Sequence, residues 1–113
     1  MIPATVRIFV CTQPHDMRCS YDTLALATQT VLGQDPRSGA LFVFTNKRHN
    51  RLKVLWWDKN GYCLLSKRLH QALFRLPVPA GSSDSSVSID GRALAELLHG
   101  AQSLRTTRTQ NRS

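Results

Sequence analysis

The residues from Leu41 to Pro77, LFVFTNKRHNRLKVLWWDKNGYCLLSKRLHQALFRLP, interleave short apolar runs with single and paired cations. Three segments in this stretch read as strands: Leu41–Thr45, Leu52–Asp58 and Tyr62–Ser66. Each is rich in β-branched, aromatic or apolar residues and is bounded by turn formers. Asn46–Arg51 and Lys59-Asn60-Gly61 separate them as hairpin connections, with Asn60-Gly61 expected to supply the positive φ angles of a tight turn. Alternation in the second strand places Leu52, Val54 and Trp56 on one face and Arg51, Lys53, Leu55 and Trp57 on the other. The cations decide between the faces, and the Leu52 face is the expected core. Eight of the fifteen Lys and Arg of the chain fall between Lys47 and Arg75, and Asp58 is the only acid among them. A β-meander with a basic outer surface is therefore expected.

Upstream, Thr5–Cys11 carries β-branched and aromatic residues without helical periodicity and reads as a further strand. Pro14 ends it, since proline breaks the ladder. Ser20 is a candidate N-cap, and Asp22 falls in the first turn, where free N–H groups favour an anion. Leu24, Ala27, Thr28 and Val31 recur at helical spacing, so Tyr21–Leu32 is an expected amphipathic helix stopped by Gly33. The segment 34–39 is a turn-rich link. Downstream, Lys67–Leu73 is ambiguous between strand and helical turn, while Pro77 and Pro79 keep their neighbourhood extended. Val87–Ile89 is a short strand. Asp90 caps a second helix, Gly91 to His99, with Leu94, Leu97 and Leu98 as its apolar stripe and Gly100 as its end. Beyond Leu104 the tail RTTRTQNRS is basic and without apolar residues, so disorder is expected there.

The length of 113 residues allows one domain, assigned to residues 1–103 with the tail 104–113 outside it, and an apolar content of 42% suits a folded one. No apolar run is long enough to span a membrane. The start of the chain lacks the basic region and cleavage site of a signal peptide, and Cys11, Cys19 and Cys63 form no C-x-x-C pair. Free thiols in a reducing cytoplasm are the reading. The net charge of +8 bears on partners, pointing to nucleic acid, an anionic surface or an acidic protein.

Three pieces in order carry a family resemblance. They are Asp16-Met17-Arg18 before the helix with Leu24-Ala25, then Leu41-Phe42-Val43-Phe44 leading into Leu52–Asp58 and Gly61-Tyr62-Cys63-Leu64, and finally Lys67-Arg68-Leu69 with Phe74-Arg75, Pro77 and Leu94–Gly100. The chain resembles, over roughly residues 1–100, the TnpB-type accessory proteins encoded beside the transposase in a class of bacterial insertion sequences. These are distinct from the RNA-guided nucleases of the same name. Cys19, Ser20, Leu76 and Gln71-Ala72 depart from the family pattern. The resemblance implies a role in transposition, through binding DNA at the element ends or through assembly with the transposase.

The residues themselves favour binding over catalysis. Arg51, Lys53, Lys67 and Arg68 are expected to contact phosphates, Lys47 and Arg48 to reach out from the turn, and Trp57 to stack on a base or on Arg51. The Leu41–Asp58 hairpin is the candidate for entering a major groove. Arg18 has two readings, a local pair with Asp16 or a phosphate contact at a helix start. Asp16, Asp22, Asp35 and Asp58 are too scattered for a metal-dependent nuclease, His49-Asn50 is too little for one, and no His or Cys shows metal-ligand spacing. No cofactor, metal or catalytic residue is assigned. The expected architecture is α+β, a mixed or antiparallel sheet of four or five strands with two helices. The expected function is a non-catalytic DNA-binding accessory factor, with an adaptor that docks on the transposase through a strand edge or the Leu94–Leu98 helix as the alternative, and single-stranded RNA as a weaker ligand class.

Overall fold

All five residues of Leu41–Thr45 (β2) are buried, which a strand achieves only when both faces of its sheet are covered. The computed structural model describes residues 6–77, 81 and 84–102. Its main sheet has the order β4-β3-β2-β1-β6, built from Ile8–Cys11 (β1), β2, Arg51–Asp58 (β3), Gly61–Arg68 (β4) and Ser86–Ile89 (β6). Strand β1 runs parallel to β2 with Phe9 opposite Phe42, while the other three pairings are antiparallel. The connection from β1 to β2 is the helix Tyr21–Thr30 (α1), as parallel neighbours require a crossover. Ala72–Leu73 (β5) and Ala101–Gln102 (β7) form a separate two-stranded pair, and Gly91–His99 (α2) follows β6. The expected α+β class, mixed sheet and two helices are thus observed.

Period-2 alternation in β2 divides the core in two. Phe42 and Phe44 pack with Cys11, Leu55 and the α1 residues Leu24, Ala25 and Ala27. Leu41 and Val43 point the other way and pack with Ile8, Val10, Leu52, Val54, Phe74 and the α2 residues Leu94 and Leu97. The sheet is sandwiched, one helix on each face. This corrects the expected outer face of β3: Leu55 is fully buried and Trp57 is half-buried, because α1 covers the face that the cations had marked as solvent. It also removes the β2–β3 hairpin as a ribbon for a DNA groove. Strand β2 is the middle strand of five, so only the turn at 46–50 reaches solvent at its end.

Local chemistry fixes the boundaries. Asp90 caps α2, its Oδ1 accepting the Ala93 N–H at 2.8 Å. Ser20 has extended cap geometry but its hydroxyl makes no cap bond. The β3–β4 connection pairs Asp58 with Gly61, and the positive φ (55°) sits at Lys59 rather than at Asn60 or Gly61. The ambiguous segment resolves into two pieces: Lys67 and Arg68 extend β4, and Gln71 (φ 58°) turns the chain into β5. The expected starts and ends at Thr5, at Pro79 and Ala80, and in the tail 104–113 lie outside the described residues.

Candidate nucleic-acid interface

The loop between β1 and α1 folds over the end of the sheet where the β2–β3 turn emerges. The His15 N–H donates to the Thr45 carbonyl at 2.8 Å, and the His15 ring meets Phe44 edge-on at 5.1 Å. Met17 is buried beneath this loop and anchors it. Its neighbours Asp16 and Arg18 therefore project beside the turn. The turn is clamped by Asn46, whose Oδ1 accepts the Asn50 and Arg51 N–H groups at 3.1 and 3.0 Å and whose Nδ2 donates to Asn50 Oδ1 at 2.7 Å. Asparagine suits such a position because its short amide bonds the backbone a few residues on. The His49 carbonyl accepts the Phe74 N–H, tying the turn to the segment after β4.

A recess of about 300 Å³ lies between these parts, lined by Asp16, Met17, Arg18, Asn46, Arg48, Asn50, Arg51 and Arg68. Four arginines line it together with one aspartate. Arg51 and Arg68 are direct partners in the β3–β4 register. Like charges placed opposite one another oppose strand pairing, so apolar contacts further along the ladder must set that register. Arg18 donates to Asp16 from Nε at 3.1 Å to each carboxylate oxygen and from its terminal nitrogen at 2.7 Å. These bonds, then the Arg18 backbone N–H, hold the Asp16 carboxyl down to about 2, with Lys53 adding a smaller pull. The pair is exposed, so its worth to stability is screened.

The other expected contacts fall in three places. Lys47 is exposed on the same turn. Lys53 lies on the same face of β3 as Arg51, but its Nζ donates to the Cys19 carbonyl at 2.6 Å, just before α1. Lys67 points to the opposite face, where its Nζ donates to the Leu98 carbonyl near the end of α2, at 2.6 Å. A cation there complements the free carbonyls of the helix terminus. Trp57 shares the Arg51 face but sits about 20 Å along the strand from it, six residues at the usual rise. There the Arg37 guanidinium stacks over the Trp57 ring at 4.7 Å, and Tyr62 meets that ring edge-on at 5.0 Å. The structure thus brings together Arg18, Arg48, Arg51 and Arg68, with Lys47 and Lys53 beside them, and separates Lys67 and Trp57.

Sequence reasoning missed Asn46 and Asn50, which shape the recess, and Arg37, the partner of Trp57. Two asparagines four residues apart around a basic turn were the available signal. Among the described residues no group of three or more His, Cys, Asp or Glu side chains is arranged to hold a metal ion. Among the described residues no helix is long and apolar enough to cross a membrane.

Residues 6–108 match the family described as IS66 Orf2 like protein, TnpB_IS66. The chain belongs to this family. The resemblance read from Asp16-Met17-Arg18 and the Leu41–Pro77 stretch holds, and both lie within the matched residues. An IS66 Orf2-like protein has an accessory role in an insertion sequence, and hence in transposition. Among curated proteins, the chain is similar to the uncharacterized protein y4hO of Sinorhizobium fredii (strain NBRC 101917 / NGR234). The two are 39% identical over 102 residues, which cover 88% of this chain and 86% of the relative. The uncharacterized protein y4jC of the same organism is 39% identical over 72 residues, covering 64% of this chain and 62% of its own length. No solved structure matches the chain.

Proposed function

We propose that this IS66 Orf2-like protein serves transposition by binding DNA, without catalysing a reaction on it, through the basic end of its sheet. The observation that carries this reading is the convergence of Arg18, Arg48, Arg51 and Arg68 on one recess, with Lys47 exposed on the turn that carries Arg48. Guanidinium groups bind phosphate bidentately, and each phosphate neutralised releases counterions. The element ends are the expected site and the transposase the expected co-occupant. Binding to duplex DNA from those ends, followed across a salt series, tests the reading. Affinity should fall steeply with salt, and the Arg48→Glu, Arg51→Glu double variant should lower the slope of log K against log salt by about 2, close to 0.9 per lost contact. Lys67→Gln, on the opposite face, should change it far less. No binding at low salt, or a double variant that binds like the parent, defeats the reading.

A second reading rests on a different face. A groove of about 440 Å³ runs between α2 and the sheet, lined by Val6, Leu41, Val54, Trp56, Leu65, Leu94 and Leu98 among others. It adjoins β4, an edge strand whose Leu65 is exposed. Strand addition by the transposase at this edge, with an apolar side chain in the groove, would make the protein an adaptor. Co-purification in nuclease-treated, high-salt extract supports it, and separation under those conditions counts against it. The two faces are distinct, so one molecule has room for both roles.

A further inference from the structure

We propose that the arginine recess seats a terminal phosphate, a phosphate monoester at the end of a nucleic-acid strand, in preference to the internal diesters of its backbone. This deepens the DNA-binding reading and rests on it. The four guanidinium groups are not equivalent. Arg18 is already charge-paired with Asp16 through three side-chain hydrogen bonds. Arg48, Arg51 and Arg68 make no side-chain hydrogen bond or ion pair among the described residues. The lining thus leaves three positive charges without a counter-charge.

Two of the three are forced together. Arg51 and Arg68 face each other in the ladder, a pairing that repels until an anion comes between them. The third, Arg48, is delivered from a turn whose backbone is fixed by Asn46 and by the bond from Phe74 to His49. Side chains carried on a fixed backbone lose less freedom on binding than side chains on a mobile loop.

The ligand's chemistry follows from this count. An internal diester carries one charge and two non-bridging oxygens, and two guanidinium forks suffice for it. A monoester carries close to two charges at neutral pH and three terminal oxygens, matching three forks. Shape points the same way. A group at the end of a strand enters a recess with one sugar behind it, whereas an internal phosphate has a sugar on each side and lies across the rim. Asp16 is then a built-in competitor: its carboxylate holds Arg18 back and leaves the recess to three arginines rather than four.

Fluorescence anisotropy on the full chain, with a short duplex that differs only in a terminal phosphate or a terminal hydroxyl, tests the assignment. The phosphorylated end should bind roughly tenfold tighter, the worth of one charge-assisted hydrogen bond. Arg51→Gln with Arg68→Gln should abolish that preference, and Arg51→Lys with Arg68→Lys, which keeps the charge but not the fork, should restore only part of it. Asp16→Asn should widen it by freeing Arg18. Inorganic phosphate alone, as competitor, should displace the phosphorylated end only in large molar excess. Equal affinity for the two ends overturns the monoester assignment while leaving DNA binding intact. Displacement by inorganic phosphate at matched concentration overturns the strand-end assignment and makes the recess a site for small phosphates. Absence of binding to either duplex defeats both readings.

Discussion

At the scale of single residues, the cations of this chain divide by what their nitrogen atoms already touch. Lys53 spends its ammonium on the Cys19 carbonyl, where it pins the entry of α1 to the sheet. Its replacement by Met should therefore cost about 1–3 kcal/mol, as a carbonyl loses its charged donor, and urea denaturation measures it. Asp16 gives a direct check on the Arg18 pair. Its carboxyl, held near 2 against an ordinary 3.8, should titrate by carbon-detected NMR with that depressed midpoint and return towards the ordinary value in Arg18→Gln. Because the folded value is depressed, the pair's contribution is complete above the ordinary carboxylate range, shrinks as pH falls below that range and is gone once pH has fallen through about 2. Stability should not change on account of Asp16 between pH 5 and 8.

At the scale of elements, the helices and turns were legible because their signals are local. Asp90 and Gly100 bracket α2 in the sequence and do so in the structure. Gly100 has φ 77°, and a Cβ there would lie 2.5 Å from Leu69 Cδ1 and 3.2 Å from the Leu73 carbonyl oxygen. Gly100→Ala should therefore destabilise the protein by about 1–3 kcal/mol, visible as a lower urea midpoint with unchanged slope. The face of β3 was misjudged for a physical reason. Lys53 and Leu55 share a side, and a cation there reads as solvent exposure unless its stem crosses apolar surface to reach a partner. The parallel pairing of β1 with β2 was hidden because the partners are distant in sequence and nothing local encodes their register. The recess was hidden for the same reason. Arg18 belongs to the first crossover and Arg51 to the meander, so their meeting is a product of topology, while the basic character of the stretch was plain from composition alone.

At the scale of the whole molecule, one sheet serves two cores. Leu24 anchors the side under α1 and Leu94 the side under α2, and both are essentially inaccessible to solvent. Leu24→Ala and Leu94→Ala should each cost about 2–5 kcal/mol, a large part of the 5–15 kcal/mol typical of a domain. A shared sheet further implies that neither core melts alone. Trp56 packs on the α2 side and Trp57 lies on the α1 side beside Tyr62, so the fluorescence of the single variants Trp56→Phe and Trp57→Phe reports each side separately. The two signals should give the same denaturation midpoint as circular dichroism, and distinct midpoints would show two independent units.

The opposed Arg51 and Arg68 have a consequence for solubility as well. Strand β4 is an eight-residue sheet edge with Leu65 exposed, a template on which another chain could add a strand. Edge strands of this kind are kept apart in solution by charge, and an arginine pair at one end of the ladder repels a second copy laid along it. Sedimentation of an Arg51→Gln, Arg68→Gln variant should show a shift towards larger species that the parent lacks at the same concentration. The same two side chains would then keep copies of the protein separate until a polyanion is there to gather them.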